Sequence, residues 1–161
     1  MENSDMLIGL GINDDWSFEE QFYSRRPVPI VAFDGSVGKT EFVRRLIKAA
    51  VQVHKPQKAL SRVWTLRNYS SFFTDDRRHE AKHVGFSTQP GSISFSAIVD
   101  QARKEKRSRI FFKVDVEGWE YRLLDEFVDN ADLMTGLAIE FHNVDLHFDK
   151  LRDFISRFPL R

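Results

Sequence analysis

The chain has 161 residues, 42% of them hydrophobic and 13% aromatic, enough for one globular domain with its own core and too few for two. Its 24 Lys and Arg balance 24 Asp and Glu, which excludes a broad electrostatic footprint for nucleic acid or an anionic membrane. The absence of cysteine excludes disulfides, thiolate metal sites and cysteine nucleophiles together.

Met1-Glu2-Asn3-Ser4-Asp5 lacks a basic secretory n-region, and no apolar run approaches the roughly 20 residues of a membrane span, so a soluble cytoplasmic protein is expected. Met6 to Leu10, closed by Gly9, Gly11 and Asn13, has the pattern of a buried strand that turns tightly. Ser17-Phe18-Glu19-Glu20 matches a capping box, in which the serine hydroxyl and the glutamate satisfy first-turn amides, and predicts a helix start. Val28 to Phe33 reads as a second strand ending at Asp34-Gly35, and Phe42, Val43, Leu46, Ile47, Ala50 and Val53 predict a helix from Thr40 to about Val53. Val63 to Leu66 reads as a short third strand. Tyr69 to His83 has no period, and within it Thr74 to Lys82 reads as an exposed loop or short helix. After the Gln89-Pro90-Gly91 turn, Ser94 to Val99 opens a helix that runs into Arg103 to Arg107, whose cations suit its C-terminal dipole. Arg109 to Val114 is a short apolar run of the kind buried on both faces of a parallel sheet. It ends in Asp115, Glu117 and Gly118, and the next helix would carry Trp119, Leu123, Leu124, Phe127 and Val128 on its inner face. Leu137 to His142 reads as the last strand, followed by a helix with Leu151, Phe154, Ile155 and Phe158 on one face and a stop at Pro159.

Strands alternating with helices predict a single doubly wound α/β domain over residues 1–161 with a mostly parallel sheet. Such sheets bind ligands beyond the carboxyl ends of their strands. There Gly9 and Gly11 would let backbone approach a ligand, Asp34 has the position and chemistry of an acid that takes ribose hydroxyls, and Asp115 stands at the edge. A competing nucleotide reading uses Gly38, Lys39 and Thr40, which follow a strand and open a helix as in a P-loop. Phe33, however, stands where that pattern needs its first glycine. His54, His79, His83 and His147 share no metal-ligand spacing beyond the four-residue step from His79 to His83, which reads as a surface pair; no metal is expected. The 15 Phe read as core, with Phe42, Phe127, Phe154 and Phe158 on buried faces.

Four segments carry a resemblance: Gly9 to Phe22, Val31 to Val37, Phe112 to Glu120, and Leu137 to His142. In order and spacing they resemble the successive motifs of the FkbM-type methyltransferases: a glycine loop, an acid-ended strand, a Lys-Ile-Asp-x-Glu-Gly-x-Glu signature and a strand ending in Glu-Phe-His. Ile93 to Ser96 is similar to the family's helix start upstream of that signature. The resemblance covers most of the chain and is thin between Lys55 and Ser87. It implies a Rossmann-like fold, S-adenosylmethionine (SAM) as cofactor, and methyl transfer to a hydroxyl oxygen of a small metabolite or sugar. Gly9, Gly11 and Asn13 would line the methionine end, Asp34 would hold the ribose, and Asp115 would lie near the sulfonium and the acceptor. Asp115, Glu117 or His142 would remove the acceptor's proton. Asp14 and Asp15 stand where the wider class has a further glycine, and the chain stops before the strand pair that ends such domains. The expectation is therefore five principal strands, Leu137 to Phe141 at an exposed edge open to a second copy of the chain, a partly open cleft and weak turnover. A third possibility is a noncatalytic Rossmann-like interaction domain.

Overall fold

The computed structural model describes residues 3–51 and 56–159; the expected helix end at Val53, and His54, lie outside the described residues. Five strands form one all-parallel sheet: β1 (Met6–Leu10), β2 (Ile30–Phe33), β3 (Arg77–Glu80), β6 (Ile110–Val114) and β7 (Met134–Ile139), in the order β3-β2-β1-β6-β7. Two short strands between them, β4 (His83–Gly85) and β5 (Ser92–Ser94), pair with each other as a separate parallel ribbon.

Alternation along the central strands builds two cores, because successive side chains leave a strand on opposite faces. Met6, Ile8, Leu10, Val31, Phe33, Phe112 and Val114 pack on one face with α4 (Phe95–Lys104), α5 (Leu124–Asp129) and Phe154 of α6 (Val144–Arg157). Leu7, Ile30, Ala32 and Phe111 pack on the other face with α1 (Ser17–Arg25), α2 (Lys39–Val51) and α3 (Pro56–Phe72). Helices thus cover both sides of the sheet, a doubly wound Rossmann-like fold. Phe22, Phe33, Phe42, Phe95, Phe112 and Phe127 are fully buried, each worth about 1.5–3 kcal/mol of apolar burial. No helix among the described residues is long and apolar enough to cross a membrane.

Several local expectations are corrected. Val63 to Leu66 lies inside α3, and the third sheet strand is Arg77–Glu80, within the segment expected to be a loop or short helix. Val43 and Ile47 point outward, so Phe42 carries the buried contact of α2. The capping box is not formed: Trp16 precedes α1 without a side-chain cap, the Asp15 carboxylate accepts the Ser17 N–H, and Glu20 accepts the Trp16 indole N–H. The helix expected after Asp115 is broken into a 3₁₀ turn, Glu120–Arg122, and α5. Ile155 of α6 is exposed, and Phe154 carries its buried face. Ser94 does cap α4, accepting the Ala97 N–H.

The sheet order reverses between β1 and β6. β1 pairs with β2 and β6, Gly9 lying opposite Ala32 on one side and Lys113 on the other. β7 pairs with β6 alone and forms one edge of the sheet, and β3 forms the other.

Candidate functional site

A cleft of about 1000 Å³ opens at the carboxyl edge of the sheet, across the β1–β6 junction where open α/β sheets bind ligands. Its floor is made by Gly11 and Asn13 after β1, Asp34 to Ser36 after β2, and Asp115 to Glu117 after β6, and its outer wall by the segment from His83 to Ser92.

The loop after β1 is held from two sides. Lys113 donates to the Gly11 carbonyl, and its ammonium lies 3.5 Å from the Asp115 carboxylate. From the other side, Asp34 Oδ2 accepts the N–H groups of Ile12 and Asn13 at 2.9 and 2.7 Å, while Oδ1 accepts the Ser36 N–H and hydroxyl at 2.7 and 2.6 Å. Burial pushes the Asp34 carboxyl up, yet these hydrogen bonds from Ser36, Asn13 and Ile12 outweigh it and hold the group below its ordinary value. A carboxylate offers about four acceptor positions, and here all are occupied from within the chain. Asn13 and Glu117, at φ 46° and 51°, are left-handed non-glycine residues on the cleft, each carrying strain of roughly 1–2 kcal/mol.

Gly9 does not reach the cleft. It sits inside β1, and a Cβ there would come 2.7 Å from a carboxylate oxygen of Glu19. Glu19 is fully buried on α1, and neither of its oxygens has a hydrogen-bond partner. Burial pushes its carboxyl up to about 7, against the downward pull of the Lys113 ammonium.

Beyond Asp115, the ends of β6 and β7 converge. Glu120, fully buried, accepts the Gly118 N–H at 2.8 Å and the His142 N–H at 2.6 Å, and lies 3.2 Å from His142 Nδ1. This turns His142 Nε2 toward Asp115, Glu117 and Glu140, whose nearest oxygens lie at 3.9, 3.8 and 3.9 Å.

Comparison with protein-family models, curated proteins and solved structures gave no match.

The structure therefore brings Gly11, Asn13, Asp34, Asp115 and Glu117 to one cleft, places His142 beside Asp115, and leaves Gly9 in the strand. Trp119, expected on an inner face, is 37% exposed on the cleft wall, its ring 5.4 Å from that of Phe86 and capped by the Arg122 guanidinium at 4.3 Å. His79, expected at the surface, is half-buried on β3, with Nδ1 2.7 Å from the Tyr69 hydroxyl and Nε2 3.2 Å from the Asp34 carbonyl; burial pulls its ring down. His83 lies on the cleft wall over Gly35, where a Cβ would meet its ring at 2.3 Å. Lys39 is exposed at the start of α2, outside the cleft lining.

Proposed function

We propose that the chain is a SAM-dependent methyltransferase that methylates a hydroxyl oxygen of a small metabolite or sugar. The observation that carries this reading is the acidic floor of the cleft at the strand-order reversal, where Asp115 and Glu117 face a cavity large enough for a nucleoside and an acceptor together. A sulfonium and an amino group are cations, and carboxylates suit them better than they suit a triphosphate. Arg45, the basic side chain on the cleft wall, is already engaged by Glu41 at 3.0 Å and Asp14 at 3.7 Å. The position of Lys39 outside the lining and the capture of the Ser36 amide by Asp34 weigh against the P-loop alternative.

The residues present fit the cofactor. Gly11 and Asn13 both line the floor, and Gly11 lets the loop after β1 pack directly on the Asp115 backbone. The Ser36 hydroxyl is the one Asp34 partner that rotates freely, so a ribose hydroxyl can replace it at Oδ1 while the other three bonds keep the loop in place. Trp119 and Phe86 supply a flat apolar wall for a ring. When bound, SAM supplies a methyl group already activated by positive sulfur. The chain then has to orient the acceptor and accept its proton, and Asp115, Glu117 and His142 converge for that.

Calorimetric titration of the purified chain with SAM and, separately, with ATP and magnesium tests the reading. Saturable SAM binding that Lys39→Ala leaves unchanged is the expected result. ATP binding at micromolar affinity that vanishes in Lys39→Ala would overturn it.

A further inference from the structure

We propose that Asp115, Glu140 and His142 form a binding site for a first-row divalent cation, Mn²⁺ or Zn²⁺, at the rim of the cleft. One donor atom from each lies within 4.8 Å of the other two. The topology explains the meeting. β6 and β7 are parallel neighbours, so Asp115 and the Glu140-Phe141-His142 segment leave the sheet at the same edge, and Glu140 and His142 sit two residues apart.

The spacing has the form of a coordination set. Nε2 of His142 stands 3.9 Å from Asp115 Oδ1, 3.9 Å from Glu140 Oε1 and 3.8 Å from Glu117 Oε2. All three are too long for hydrogen bonds, whereas ligands about 2.1 Å from one shared ion lie roughly 3–4 Å from each other.

The tautomer of His142 is a separate constraint. Glu120 is buried and already accepts two backbone N–H groups, so the hydrogen between it and Nδ1 belongs to the imidazole. In the neutral ring Nε2 then carries the lone pair, and the nearest oxygens of Asp115, Glu117 and Glu140 stand 3.8–3.9 Å from it, an arrangement that a cation between them suits. A carboxylate that fixes and polarises a ligating histidine through its other nitrogen is the usual support for such a ligand. Lys113 neutralises Asp115 from the side of its other oxygen, and among the described residues no Lys or Arg lies within 4 Å of Glu117 or Glu140. One imidazole with carboxylates and open positions suits Mn²⁺ or Zn²⁺.

Asp115 and Glu117 line the cleft, so neighbouring hydroxyls of an acceptor bound there would complete the sphere and leave Glu117 to take the proton. That extension rests on the methyl-transfer reading and names a vicinal diol as the acceptor class; the cation site itself does not depend on it.

The test is titration of the purified chain with MnCl₂, followed by loss of the free-Mn²⁺ electron paramagnetic resonance signal and by calorimetry, with ZnCl₂ and MgCl₂ in parallel. One Mn²⁺ or Zn²⁺ per chain is expected, weakened at least tenfold in His142→Ala and in Glu140→Gln, and unchanged in Glu41→Gln. Glu140 is largely exposed, so its variant keeps the test valid should loss of the His142–Glu120 bond unfold the chain. No binding up to millimolar Mn²⁺ and Zn²⁺, or binding unaffected by Glu140→Gln in folded protein, would refute the site. SAM binding without Mn²⁺ or Zn²⁺ binding removes the cation site alone; cation binding without SAM binding removes methyl transfer alone.

Discussion

Gly11 and Asp115 meet backbone to backbone: a Cβ on Gly11 would stand 1.7 Å from the Asp115 carbonyl oxygen, and Gly11 has φ +81°. The loops after the two central strands thus pack directly against each other at the cleft floor.

Gly11→Ala is expected to destabilise the fold by about 3 kcal/mol or more, since it combines backbone collision with a left-handed conformation. Gly91→Ala provides the comparison: φ is +79°, but nothing lies within 4 Å of the added carbon, so only about 1–2 kcal/mol of conformational strain is expected. Urea unfolding of both variants checks the difference, and equal losses would show that the Gly11 contact relaxes easily.

Asp34→Ala should lower SAM affinity at least tenfold and also lower stability. It orphans the Ile12 and Asn13 amides, and each hydrogen bond to a charged group is worth about 1.5–3 kcal/mol. Ser36→Ala should retain the loop and bind SAM at least as well as the parent. Calorimetry on the pair distinguishes a ribose-accepting Asp34 from one that only clamps the loop.

The buried Glu19 carboxyl makes stability depend on pH. Held near 7 in the fold against an ordinary 4.5, it binds its proton more tightly folded than unfolded. Its contribution is fully favourable below about pH 4.5 and is lost as pH rises to 7, a change of roughly 3 kcal/mol for this group. Glu19→Gln should flatten the fall in urea midpoint between pH 5 and pH 8. An unchanged slope would place the titration elsewhere.

Asp115→Asn should leave the melting temperature nearly unchanged while lowering methyl transfer at least tenfold, because Asp115 is partly exposed and its backbone, not its side chain, makes the contact with Gly11. Trp119→Ala should weaken ligand binding by about 1 kcal/mol or more, again with little effect on stability. Thermal melts beside single-turnover assays and titrations measure both.

The central strands were legible because burial on both faces demands an uninterrupted apolar run, as in Met6 to Leu10 and Ile110 to Val114. β3 was not legible, since an edge strand can be Arg-Arg-His-Glu and still pair through its backbone. Val63-Trp64-Thr65-Leu66 has strand-forming residues but sits in a 17-residue helix whose context overrides them. Gly11, Asn13, Asp34, Asp115 and Glu117 could be read as neighbours from their places at strand ends. Glu19 and Glu120 could not, because an acid in a first turn looks solvated until packing encloses it. The proximity of Glu140 and His142 to Asp115 was implicit in two parallel strands ending side by side, and the Glu-Phe-His ending was its signal.

The outer wall of the cleft belongs to a ribbon whose strands, β4 and β5, pair with each other and with none of the five in the main sheet. Ile93 and Val84 fasten it to the core, while Phe86, Ser87, Gln89 and Pro90 face the cavity. Residues of that second group can be exchanged without disturbing a single rung of the main ladder. What the cleft admits can therefore change over evolutionary or engineering time while the acids beneath it stay where they are, which makes residues 86–90 the natural place to randomise when a different ligand is sought.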